Sequence, residues 1–271
     1  MLSTEKGFIT LNPDFLNMYF DAHVHADVRS YEDYEAMVLA GIEKAVTCAH
    51  DVYRMTTSQV YLDHYDRLLR VETRLAARAG LDLYVALGVH PSAIPRDVEA
   101  LLEALPEQLR AERVVAIGET GVELKDDRET VVLERQLSLA VELDMPIIVH
   151  TPRKMKEKAA EEALRLIDRS GIKPERVLLD HLKEESVEVA MDSGVYMGLT
   201  IQPPSKLTHE EAAELIARHG PERFIVSSDM SSIPSDPLAL PRCALKLRAM
   251  DVSRKDVHRA LYENAADFYG L

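Results

Sequence analysis

Short apolar runs rich in β-branched residues recur along the chain, at 18–26, 44–50, 81–90, 114–122, 145–151, 176–181, 195–200 and 223–229. Their apolar character is continuous rather than alternating, which suits strands buried on both faces of a parallel sheet. Between them the period changes to that of a helix. Leu133, Leu137, Ala140 and Val141 fall on one helical stripe, and Ala160, Ala163, Leu164 and Ile167 on another. Gly41, Gly80, Gly171, Gly194 and Gly220 each follow a helical pattern and precede a strand, where a left-handed cap ends the helix. Eight strand–helix units in this length predict a (β/α)8 TIM barrel over a single domain, 1–271. A doubly wound open sheet is the alternative, and no glycine-rich phosphate fingerprint follows the first strand to support it. The first 17 residues precede the barrel, and 253–271 predicts one or two closing helices.

Composition narrows the setting. The 271 residues are 46% hydrophobic and 29% charged, enough for a substantial core, with a net charge of -14. So acidic a chain is a poor non-specific binder of nucleic acid, so any nucleic acid must be held by a local basic patch or a metal. The two cysteines, Cys48 and Cys243, form no CxxC, which excludes a thiolate zinc site and disfavours a disulfide framework. No basic, apolar leader opens the chain and no apolar run reaches membrane-spanning length, so a cytoplasmic protein with no membrane association is expected.

The chemistry gathers where the predicted strands end. His23 and His25 close the first, two residues apart and so on one face of an extended strand. His50, His90, His150 and His181 close the second, third, fifth and sixth; Glu119 lies in the fourth and Asp229 ends the eighth. Six of ten histidines at strand C-termini are poorly explained by chance. His50 and His90 lack an obvious carboxylate partner, and His64, His209, His219 and His258 read as surface residues. Imidazoles mixed with carboxylates suit a divalent transition metal: zinc first, with Mn, Ni or Mg admissible. On the catalytic face of a barrel, with room for water, such a set implies a metal-activated hydroxide. It exceeds the four ligands of one tetrahedral site, so one or two ions per chain are expected, a pair lying roughly 3.5–4 Å apart.

The set resembles the TatD-like branch of the amidohydrolase superfamily of metal-dependent hydrolases. The matching pieces are Asp21-Ala-His23-Val-His25, Gly88-Val-His90-Pro91, Ile117-Gly-Glu119-Thr-Gly121, Pro146-Ile-Ile-Val-His150, His181 and Ser228-Asp229, in family order from about residue 18 to 240. The resemblance implies that His23, His25 and Asp229 hold one metal and that Glu119 bridges to a second, held also by His150 and His181. It makes Asp229 a general base and proton donor, with Glu119 the other catalytic carboxylate, and sets His90 against the substrate. Family members are best known as nucleases acting on DNA ends. The chain departs from the family at Gly121-Val122-Glu123, His150-Thr151-Pro152-Arg153, His181-Leu182-Lys183-Glu184 and Ser227-Ser228-Asp229-Met230-Ser231: the ligands persist while their surroundings change.

Basic residues on the predicted catalytic-face loops, Arg29, Arg54, Arg96, Lys125, Arg153, Lys154, Lys183 and Lys206, could focus an anionic substrate, and Arg153 can clamp a phosphate bidentately. The expected activity is therefore a divalent-metal-dependent, deoxyribonuclease-like phosphodiesterase acting on an anionic small molecule or a nucleic-acid end. The alternatives are an amidohydrolase acting on an amide, lactone or other non-phosphate ester, and a non-catalytic barrel stabilised by its metal. The roles of Asp21, Asp51, Glu123 and Asp180 and the oligomeric state stay open.

Overall fold

A computed structural model describes residues 18–49 and 55–271. Eight strands lie in one sheet in sequence order: β1 (Tyr19–Val24), β2 (Ile42–Cys48), β3 (Asp82–Leu87), β4 (Val114–Gly121), β5 (Ile147–His150), β6 (Val177–Asp180), β7 (Tyr196–Thr200) and β8 (Phe224–Ser227). Every neighbouring pair is parallel. Seven of the strands fall inside their predicted runs, and β2 begins at Ile42, two residues before the run at 44–50. The apolar runs are continuous because β1, β5, β6, β7 and β8 are buried along their whole length, between helices outside and packed side chains within.

The helices alternate with the strands: α1 (Tyr31–Leu39), α2 (Ser58–Arg67), α3 (Thr73–Ala79), α4 (Val98–Gln108), α5 (Asp127–Leu143), α6 (Lys156–Ser170), α7 (Glu184–Ala190), α8 (His209–His219) and α9 (Ala239–Ala249). The α5 stripe is rotated from its prediction. Leu133, Leu137 and Ala140 are buried, but Val141 is 45% exposed, and Val132 and Gln136 complete the buried face instead. In α6, Ala160, Ala163 and Ile167 are buried, whereas Leu164 packs only at the margin. Gly80 and Gly171 end α3 and α6 with φ of 94° and 74°, the left-handed cap expected of them.

The barrel closes at its upper rim. The Asp229 amide donates to the His23 carbonyl at 2.9 Å, and the His25 amide donates to the Met230 carbonyl at 2.7 Å. Asp21 clasps the same seam, accepting from the Ser228 amide at 2.9 Å and from its hydroxyl. The lower end is stoppered by the closing helices α10 (Arg254–His258) and α11 (Asn264–Tyr269), joined by one wide turn. Phe268 and Tyr269 rest on the interior side chains Phe20, Ala22, Val46, Ile148 and Leu178, and the Tyr269 hydroxyl donates to the Ala22 carbonyl. The floor is thus filled by apolar side chains, and the predicted imidazoles and carboxylates lie at the upper rim. Among the described residues no helix is long and apolar enough to cross a membrane.

Candidate metal centre

Strand ends carry the predicted residues to one place. His23, His25, His90, Glu119, His150, His181 and Asp229 are all buried at the rim. Two overlapping trios, His23–His25–Asp229 and His23–Glu119–His181, each bring their ligand-type atoms within 4.8 Å of one another, and a third joins His90, Glu119 and His150. His50, Asp51 and Arg54 lie outside the described residues. His64, His209, His219 and His258 are partly exposed, and each faces a carboxylate: Asp27, Asp236, Glu188 and Glu263.

Second partners decide which ring nitrogen is available. His23 Nδ1 donates to Asp180 Oδ2 at 2.7 Å, and His25 Nδ1 donates to the Cys48 carbonyl at 3.3 Å, because neither oxygen can donate in return. In the neutral ring each Nε2 is thereby left as a lone-pair atom, and the two face one another at 3.3 Å. Asp229 Oδ1 stands 2.9 Å from His25 Nε2 and Glu119 Oε2 stands 3.5 Å from His23 Nε2. Electron-rich atoms converging in a buried space fit a cation, and the imidazole–carboxylate mixture fits a transition metal. His90 differs. The Ser92 amide donates to its Nδ1 at 3.1 Å, so the ring proton sits on Nε2, 3.7 Å from Glu119 Oε2. That tautomer makes His90 a donor rather than a ligand.

His150 lies between two carboxylates, with Nδ1 2.7 Å from Glu119 Oε1 and Nε2 2.9 Å from Glu123 Oε1. Burial pulls its pKa down, and the two carboxylates outweigh burial and raise it. Hydrogen bonding from His150 in turn draws Glu123 down to about 2. Burial would raise Glu119, but His23, His90 and His150 outweigh it and hold that carboxyl well below the usual range. His181 completes the ring: Nε2 lies 2.9 Å from Glu119 Oε1 and Nδ1 2.7 Å from Thr200 Oγ1, while burial lowers its pKa to about 4. His181 and Asp229 both take left-handed backbone, φ 62° and 46°, costing about 1–2 kcal/mol each. Strained residues of this kind persist where surrounding structure over-determines them, as at functional sites.

Several contributors were missed or left open in the sequence. Asp180 orients His23 and also accepts from the His181 amide at 2.7 Å. Gln136, the polar residue on the buried face of α5, accepts from the Val89 amide and donates to Thr120 Oγ1 at 2.6 Å, tying the β3 and β4 ends together. Lys156, buried in the first turn of α6, donates to the His181 carbonyl, and burial lowers its pKa to about 8. A polar residue interrupting an apolar helical stripe was a usable signal for Gln136; nothing local marked Lys156 among its basic neighbours.

The centre floors a cavity of about 630 Å3, and Lys125, Arg153, Lys154 and Lys206 of the predicted basic ring line its walls. Arg29 is turned aside, donating to the Ser231 carbonyl and pairing with Asp33. Lys183 and Arg96 do not line the cavity.

A (β/α)8 barrel with buried imidazoles and carboxylates at the strand C-termini has the architecture of the metal-dependent hydrolases. The profile of the family described as TatD related DNase matches residues 20–270. An uncharacterized metal-dependent hydrolase of Methanocaldococcus jannaschii is 48% identical over 93% of this chain and 99% of its own. The crystal structure of a TatD-like protein from Archaeoglobus fulgidus superposes with a TM-score of 0.79 at 30% identity, covering 93% of this chain and all of that one. The phosphotriesterase homology protein of Escherichia coli shares the fold, with a TM-score of 0.72 at 18% identity over 94% of this chain and 99% of its own. The chain belongs to the TatD family of metal-dependent hydrolases.

Proposed function

We propose that the protein hydrolyses a phosphoester bond in a compact anionic substrate, a small phosphodiester or a nucleic-acid end. A divalent cation, zinc first, would be held by His23, His25 and Asp229, with Glu119 shared toward His150 and His181. The observation that carries this reading is the layout of one cavity: imidazoles and carboxylates on its floor, and Lys125, Arg153 and Lys154 exposed around it. A volume of about 630 Å3 suits a small molecule or a strand end better than a duplex. Among the described residues none of the lining side chains is Phe, Tyr or Trp, so they offer no stacking platform of the kind used by non-specific single-strand binders.

A bound divalent ion supplies Lewis acidity and brings the pKa of water toward neutrality. The chain supplies the rest. Asp229 takes a proton from the attacking water and returns it to the leaving oxygen. Glu119 holds the imidazoles of both halves in register. His90 presents its Nε2–H to a phosphoryl oxygen, and Arg153 clamps the phosphate from the β5–α6 connection.

The test is metal analysis with turnover of bis-nitrophenyl phosphate and single-stranded DNA, alongside His23→Ala and Asp229→Ala. The native protein should retain divalent metal, and each variant should lose about a hundredfold or more in turnover. Protein that retains no metal, or variants equal to the native enzyme, would overturn the reading. Hydrolysis of a lactone or dipeptide with no phosphoester turnover would overturn its substrate half.

A further inference from the structure

Lys206 stands apart from Lys125, Arg153 and Lys154 because it is not at the mouth. Its side chain is 9% exposed and its ammonium donates to Asp229 Oδ2. The same Nζ lies 3.2 Å from His181 Nδ1 and 3.3 Å from His181 Nε2. Near-equal distances to the two nitrogens set the ammonium beside the ring rather than on either in-plane lone pair. It therefore touches one residue from each half of the proposed centre.

The connection that carries Lys206 is tied at both ends. The Leu207 amide donates to the Thr200 carbonyl, and the Gln202 amide donates back to the Leu207 carbonyl, at 3.0 and 3.1 Å. The Lys206 amide itself donates to the Gln202 carbonyl at 3.0 Å. Gln202 Nε2 donates to the Asp229 carbonyl and to Ser231 Oγ, fastening the loop to the segment after β8. Beyond it, Thr208 and Glu211 exchange hydrogen bonds as a capping box that fixes the start of α8. The loop is short and closed, so the lysine is delivered by a framework.

We infer that Lys206 is a resident cation of the centre, standing in for a second metal ion on the His181 side so that the native protein binds one divalent ion tightly and a second only weakly. This rests on the metal reading above. The two halves are unequal toward an ammonium. On the first, Lys206 occupies only Oδ2 of Asp229, leaving Oδ1 facing His25 Nε2 at 2.9 Å. That half keeps its lone pairs for a metal. On the second, a fixed positive charge beside His181 opposes a dication in a buried space where charges are weakly screened. Lys156, donating to the His181 carbonyl, adds a second ammonium to the same side. Among the predicted ligands, both halves looked alike; the lysines distinguish them.

The experiment strips the full-length protein with chelator and titrates it with Mn2+ alone, by calorimetry and by electron paramagnetic resonance. The native protein and Lys206→Arg should bind one ion tightly and give the spectrum of isolated Mn2+. Lys206→Met should gain a second ion, its affinity raised roughly 10–100-fold, the range over which groups around the ligands move metal binding, with an exchange-coupled spectrum. Lys206→Gln serves if the methionine variant does not fold. Two equally tight ions in the native protein, or second-ion affinities unchanged by Lys206→Met and Lys206→Gln, would overturn this inference and leave the metal reading intact. No uptake by any of these proteins would overturn both.

Discussion

His23 works as a ligand-type side chain only if its Nδ1 carries the proton, and Asp180 enforces that. The carboxylate accepts at 2.7 Å inside a site where His23 is wholly buried. Removing it frees the ring to rotate and to change tautomer. Asp180→Ala should therefore weaken divalent-ion binding roughly 10–100-fold, read by competition with a chelating dye, while far-ultraviolet circular dichroism stays native. Native-like affinity would mean that Asp180 only packs. The sequence displayed His23, His25, Glu119, His150, His181 and Asp229 because strand ends expose ligands in a fixed rhythm. It did not display what Asp180, Glu123 and Lys206 do, since each acquires its role from a partner on another strand or loop. His181 is next to Asp180 in sequence, yet the Asp180 carboxylate reaches past it to His23 on β1.

At the scale of strands, the centre depends on close approach. A Cβ added at Gly198 of β7 would lie 2.8 Å from the Asp180 Cα and collide with its carboxylate. Gly198→Ala should cost about 1–3 kcal/mol in urea unfolding, as overpacking does, and should also weaken metal uptake, because Asp180 must move. Gly171→Ala is the control: open space surrounds it, and its left-handed φ of 74° costs about 1–2 kcal/mol with no change in metal affinity. Strand positions were readable because burial on both faces writes an uninterrupted apolar run. Helix faces were less so. Val141 fits the stripe by spacing but lies at the outer edge of α5, where Gln136 takes an inward place to bond two strand ends. The helical period holds there, and only the centre of the buried face is shifted.

Over the whole molecule, the two ends of the barrel do different work. The lower end is held by apolar contact, with Phe268 1% exposed against Tyr196 and Tyr269. Phe268→Ala should cost about 3–5 kcal/mol, seen as a lowered urea midpoint, and leave metal stoichiometry unchanged in the molecules that stay folded. Coupled losses would show that the stopper and the rim communicate. The barrel itself was foreseeable from eight repeated units; that its last helices would cork the bottom was foreseeable only as a pair of terminal helical patterns, since their target, the interior of β1 to β8, exists only after folding.

The upper seam has a consequence in time. The backbone bonds that close the barrel run between His23 and Asp229 and between His25 and Met230. They join the first strand to the end of the last, through the residues proposed to grip the first ion. On the ribosome His23 and His25 emerge well before Asp229, and the proposed grip cannot assemble until residue 229 has emerged and β8 has docked. Metal acquisition at the proposed site would therefore be a late event in the life of the molecule, and an ion held there would be a clasp on a finished ring.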